Sequence, residues 1–208
     1  MIAAMSLPMP IHPGEVDWSG ENPGMYLKEK PDGPFVTLVS YFNVVASPHG
    51  RGHALLLLEA PLLHRSLPEA LNVCVTDNDP LARYLVANFA TYFGAFKGAE
   101  ALGYLDYIPL DGVAATGDPR TAYMVWVKGK GVEASLSWED LGPPFMVTLP
   151  AGQSATGKHA LFSLFVDARK VTATVNDRPL KGQPVQRDFA GRKSSTAFLA
   201  YSETWVRA

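Results

Sequence analysis

Hydrophobic and polar positions alternate in short runs along most of this chain, and the runs recur about every ten residues. "VEASLSWE" is the clearest, with Val132, Ala134, Leu136 and Trp138 on one face and Glu133, Ser135, Ser137 and Glu139 on the other. That is the period of a half-buried antiparallel strand. "FVTLVSYFNVVAS" is instead apolar and β-branched throughout, and its polar members Thr37, Ser40 and Asn43 fall on both faces. It reads as a long strand covered on two sides, or one whose inner face lines a partly polar cavity. "HALLLLE", "LNVCVT", "AYMVWVK", "FMVTLP", "HALFSLFVD", "KVTATV" and "STAFLAYSETWVR" read as further strands. "GKG" and the Asn176-Asp177 pair are the tight turns between some of them.

One segment has helical period. In "DPLARYLVANFATYFGAFKG", Leu81, Leu85, Phe89, Tyr92 and Phe96 recur at three- and four-residue spacing. Asp79 is the expected N-cap, Pro80 suits the first helical position and Gly98 suits the end, which predicts a helix over about 80–97, roughly 27 Å long. Residues 1–34, with "PMPIHPG", "ENPG" and "KPDGP", predict an extended Pro/Gly-rich lead-in lying across the surface. Residues 35–208 are then one β-rich domain. Many strands and one inserted helix predict a mainly β fold, an antiparallel barrel or strongly curved sandwich of lipocalin-like size.

Composition narrows the class of function. With 47% hydrophobic and 18% charged residues and a formal net charge of −2, the chain is that of an ordinary globular protein. No basic run or basic-aromatic stripe exists to neutralise a phosphate backbone, so nucleic acid is not an expected partner. The apolar start lacks a basic region and is broken by prolines, unlike a secretory signal, and no apolar run is long enough to span a membrane. The single cysteine, Cys74, lies between valines and reads as a small buried hydrophobe; with it a reduced, cytoplasmic setting is expected.

The chain lacks a dinucleotide fingerprint, a phosphate loop, a nucleophile elbow and a His-Glu-x-x-His motif, and no cofactor is expected. Candidate chemistry therefore rests on isolated polar residues. "SPHGRGHALLLLEAPLLH" holds three of the five histidines. Read as a three-residue hairpin loop, it places His49 and His53 opposite each other, able to share a metal if His64, Glu59 or His159 supplied a third ligand. The exposed hairpin tip is the preferred reading and a metal the weak one. Asp77, Asp79 and Arg83 form a cap and local ion pair, or a carboxylate partner for a histidine base. Tyr41, Asn43, Arg51, Tyr123 and Trp126 could line a barrel interior that accepts a flat apolar ligand. Glu203, expected on one strand face with Tyr201 and Trp205, is a carboxylate at an edge or in a pocket.

Two functions follow. The first is a soluble barrel that binds a small lipophilic or aromatic molecule. The alternative is a cofactor-independent acid-base enzyme (isomerase, cyclase, decarboxylase or hydratase) using His49, His53, Asp79, Arg83 or Glu203. A third expectation is an interaction domain using an exposed sheet edge or the aromatic helix, which a homodimer burying Tyr92 or Phe96 between subunits would support.

Overall fold

A computed structural model describes residues 14–63 and 70–207. The strands are β1 (Glu15–Glu21), β2 (Gly24–Lys28), β3 (Phe35–Ala46), β4 (Gly52–Leu58) and β5 (Asn72–Thr76), then helix α1 (Asp79–Asn88). After three short 3-10 turns come β6 (Asp106–Asp118), β7 (Ala122–Gly129), β8 (Val132–Leu141) and β9 (Phe145–Leu149). The chain ends with β10 (His159–Val175), β11 (Arg178–Pro179), β12 (Gln186–Phe189), β13 (Arg192–Ser195) and β14 (Ala197–Arg207).

Nine strands close a barrel in the order β14-β2-β3-β4-β5-β6-β7-β8-β10, with β10 pairing back onto β14. All neighbours are antiparallel except β5 and β6, which are parallel and need the crossover that α1 and the 3-10 turns provide. A mainly β barrel with one helix is thus the architecture. The expected tight turns are present: Asn176 and Asp177 both have positive φ, at 48° and 61°, and return the chain from β10 to β11.

The lumen is filled by side chains. One apolar cluster takes Met25, Val39, Leu55, Val73, Val125, Leu136, Val166 and Leu199 from strands all around the wall. Trp138 crosses it, its indole N–H donating to the Gly24 carbonyl at 2.9 Å. A second cluster uses the opposite faces of β2, β3, β4, β5, β10 and β14, including Phe42, Leu56, Phe165, Phe198 and Trp205. This outer face is covered by α1 and the 3-10 turns, and Trp18 of β1 and Val147 of β9 join the same cluster. The run Leu55–Leu58 is therefore buried at every position, alternately inward and under the cover. Each such leucine contributes about 1.5–3 kcal/mol by leaving water.

Several details depart from the sequence reading. Residues 15–28, expected to lie across the surface, are β1 and β2 in the barrel wall. β1 pairs with β14 and β3 at Ser19–Glu21, and β2 pairs with the same two strands from Gly24 onward, so the two form one stave broken at Asn22-Pro23. The helix stops at Asn88 and continues as 3-10 turns, because Phe89 turns the backbone away (φ −130°, ψ −63°) and Gly94 follows. Asn78, not Asp79, is the cap; its Oδ1 accepts from Leu81 N–H, while Nδ2 donates to the carbonyls of His49 and Arg51.

A buried polar knot fastens the N-terminal strand. The Asp17 carboxylate accepts from Tyr84 Oη at 2.6 Å, from His159 Nε2 at 2.6 Å and from an Arg207 N–H at 2.7 Å. It so joins β1 to α1, to the start of β10 and to the end of β14. Burial pushes the Asp17 carboxyl up, but the three donors outweigh it and hold it below the usual carboxylate range. Thr156 Oγ1 lies 2.9 Å from His159 Nδ1, which fixes the ring's other edge. Asp17→Ala leaves the buried His159 donor and the half-buried Tyr84 hydroxyl unpaired and is expected to cost about 2–4 kcal/mol in urea unfolding. A loss below about 1 kcal/mol contradicts a structural role for the knot.

Candidate functional site

A cavity of about 360 Å³ lies on the outer side of the barrel wall, between β2, β10 and β14 on one hand and the 3-10 turns and the β12–β13 hairpin on the other. Seven aromatic side chains contribute to its walls. Phe165 stacks on Phe198 at 5.0 Å between ring centroids, Tyr26 meets Phe198 edge-on at 5.4 Å, and Phe93 stacks on Trp205 at 6.0 Å. Its volume falls within the range of small-molecule pockets.

Two breaks in strand regularity bring polar groups to it. On β14, Leu199 and Tyr201 pack with the lumen cluster, whereas Trp205 belongs to the outer one. The faces exchange at Ser202, whose φ is +49°, opposite a register shift between Phe162 and Leu164 on β10. Glu203 consequently faces outward with Trp205 and not with Tyr201, which corrects the expectation of one shared face. The second break is Asn22-Pro23, where the stave changes from β1 to β2 and the Asn22 side chain is buried.

Glu203 is 3% exposed and lines the cavity. Its Oε1 accepts from Trp205 Nε1–H at 2.7 Å and, at 3.5 Å, from Asn22 Nδ2. Asn22 Oδ1 in turn accepts from Ser40 Oγ at 2.6 Å, which orients the amide so that its NH2 faces the carboxyl. Burial pushes the Glu203 carboxyl up to about 7, against which the Trp205 and Asn22 hydrogen bonds pull only weakly. A carboxyl titrating there can give or take a proton near neutrality.

Arg187, on β12, lines the same cavity. Its guanidinium lies over the rings of Phe189 at 4.6 Å, Phe198 at 4.8 Å and Tyr26 at 5.8 Å. Its Nε and Nη2 are buried and make no hydrogen bond among the described residues. Lys28, Pro31 and Asp188 stand at the more exposed rim.

Of the residues singled out from sequence, Glu203 alone lines this cavity. His49 and His53 do not face each other: the loop is longer than read, and His53 pairs with Asn43. The His49 ring lies 4.2 Å from that of Tyr84, and His53 Nδ1 lies 2.9 Å from Asp77 Oδ2. Gly50 has a positive φ, at 84°. Asp79 and Arg83 form an exposed i,i+4 pair at 2.7 Å, with the guanidinium 3.9 Å over Tyr107. Arg51 is exposed in the loop. Glu59 pairs with Arg178, and His159 belongs to the Asp17 knot. His64 lies outside the described residues, and among those described no group of three His, Cys, Asp or Glu is arranged to hold a metal.

Tyr41 and Tyr123 pack with the lumen cluster, where Tyr123 meets Tyr201 edge-on at 5.8 Å and Tyr41 stacks near His53 at 6.2 Å. Burial, with the Glu21 carboxylate nearby, pushes the Tyr123 hydroxyl up to about 12. Asn43 joins this end of the barrel through Glu21 at 3.5 Å, and Trp126 donates to Glu133 at 3.1 Å. Cys74 is buried, and burial pushes its thiol up to about 12, the environment of an inert side chain. Phe96 is 1% exposed within the chain, so it has no surface for a subunit contact, while Tyr92 is 38% exposed.

Sequence reasoning missed Arg187, Asn22, Tyr26, Phe165 and Phe198. "QPVQRDFAGRK" carries no periodic pattern, and a lone arginine in a short hairpin looks like a solvated one. Comparison of the chain with protein-family models, with curated proteins and with solved structures finds no match in any of the three.

The raised Glu203 pKa makes stability depend on pH in a definite sense. A carboxyl that holds its proton more tightly when folded adds stability that is fully present below its ordinary 4.5 and lost as pH rises through about 7. Glu203→Gln escapes that loss. Its melting temperature should therefore gain on the native protein's between pH 5 and pH 8.5, by an amount corresponding to at most ~3 kcal/mol. A difference that does not change with pH would contradict the burial of an ionisable Glu203.

Proposed function

We propose that this protein binds a small, largely apolar or aromatic molecule in the cavity outside the barrel lumen. The observation that carries this reading is a volume of about 360 Å³ left open among Phe93, Leu161, Phe165, Phe198 and Trp205, in a molecule whose lumen is filled. Such a cup buries a flat ligand and offers few polar groups to orient it. In this reading the ligand is held against the wall of the barrel, where the covering layer can yield, and not inside a closed lumen.

The neutral dye N-phenyl-1-naphthylamine is expected to bind with one-to-one saturation and to quench Trp205 fluorescence. Ala95→Trp, at the cavity wall, should remove binding while leaving the circular dichroism spectrum unchanged. Dye binding that survives this substitution places the ligand elsewhere.

One feature favours a second reading, acid-base catalysis without a cofactor. Glu203 is a buried carboxyl in an apolar cup, titrating near neutrality and held by Trp205 and Asn22. Isomerisation, cyclisation, decarboxylation and hydration share a proton transfer beside a carbonyl or an alkene, and one such carboxyl can serve it. For 2-tetralone in deuterated water, this reading expects α-proton exchange faster with native protein than with Glu203→Gln, by roughly 10²-fold. Equal rates remove Glu203 from any catalytic role in enolisation.

A further inference from the structure

We infer that the molecule held in this cavity carries a carboxylate, which Arg187 receives. The inference rests on the ligand-binding reading above and specifies the ligand's chemistry.

Arg187 is half-buried in a largely apolar cup, and its Nε and Nη2 are shut from water without an acceptor among the described residues. Buried polar groups are ordinarily hydrogen-bonded, and a buried cation ordinarily has a counter-charge. The faces of Phe189, Phe198 and Tyr26 offer the cation partial compensation through their ring quadrupoles, but no acceptor atom.

The acidic groups nearby are committed elsewhere. Asp167 is felt by Arg187 only through space; its Oδ1 accepts from Ser194 Oγ at 2.5 Å and from Ser195 N–H at 3.1 Å. Asp188, adjacent in sequence, is exposed and pairs with Lys193. Glu203 hydrogen-bonds Trp205 and Asn22, and no ion pair joins it to Arg187. The cavity therefore holds a cation without a carboxylate contact.

The unpartnered atoms also suggest the shape of the missing acceptor. Nε–H and one Nη2–H leave the guanidinium side by side and fit two oxygens of one planar carboxylate. The same chain shows the arrangement at its surface, where Arg120 Nε and Nη2 reach Asp118 Oδ1 and Oδ2 at 3.1 and 2.8 Å. A planar carboxylate paired with this edge has Phe165 and Phe198 beside it for its apolar body. An aromatic monocarboxylate satisfies both requirements.

The test is calorimetric titration of the full chain with 2-naphthoate and with uncharged 2-naphthamide, which share one apolar body. Native protein should bind the naphthoate at least ten-fold more tightly. Arg187→Met, which keeps an apolar stem of similar length, should lose this preference while retaining the naphthamide affinity. Arg187→Lys should recover part of it, because charge remains while the paired donors do not. Equal affinities of native protein for the two compounds overturn the inference, and that comparison needs no variant. A preference that persists in folded Arg187→Met overturns it as well. If N-phenyl-1-naphthylamine binds and the naphthoate has no advantage, the carboxylate inference alone fails. If neither naphthyl compound nor the dye binds, the binding reading fails with it.

Discussion

Filling the barrel lumen with side chains is the constraint from which the rest of the molecule follows. Strands that point one apolar face into a closed lumen can carry a second apolar face only if something covers it. Here β2, β3, β4, β5, β10 and β14 do carry one; α1 and the 3-10 turns cover it, and Trp18 of β1 and Val147 of β9 join the same cluster. The covering layer is assembled from short pieces instead of a continuous sheet. It packs tightly where Phe89 and Phe96 reach the wall and leaves space between Phe93 and the β12–β13 hairpin. The cavity thus lies at the join of the continuous wall and its segmented cover.

Polar groups reach that cavity through irregularities in otherwise regular strands. A strand of strict period two would keep Glu203 on the face of Tyr201, in the lumen. The left-handed backbone at Ser202 exchanges the faces and delivers the carboxyl to the outside beside Trp205. The Asn-Pro break between β1 and β2 likewise releases Asn22 from the strand alternation, so that its amide can join Ser40 to Glu203. Bulges and breaks commonly mark places where a strand aims a side chain for a purpose beyond pairing.

These features explain which parts of the molecule are legible in sequence. Alternation in "VEASLSWE" and the unbroken apolar run in "HALLLLE" report burial directly, so strand positions and the barrel class follow from them. The helix end is less legible, because the apolar stripe through Phe89, Tyr92 and Phe96 continues while the backbone tightens into 3-10 turns. Pro and Gly in "ENPG" suggest a surface turn, yet here they interrupt a stave within the wall. Glu203 was visible as a carboxylate on an apolar strand, whereas its orientation depends on a left-handed Ser202 that no residue type announces. Arg187 depends largely on long-range packing: beside Phe189 of its own strand it meets Tyr26 of β2 and Phe198 of β14.

In the proposed reading the ligand lies between the barrel wall and its cover, not in the lumen. Crystals soaked with 6-bromo-2-naphthoate test this most directly, through the anomalous signal of bromine. The account predicts a single bromine peak in the space bounded by Phe93, Phe165 and Phe198, with the carboxylate directed to Arg187. A peak among Tyr41, Tyr123 and Tyr201 at the end of the lumen, or no site except on the open surface, would contradict it.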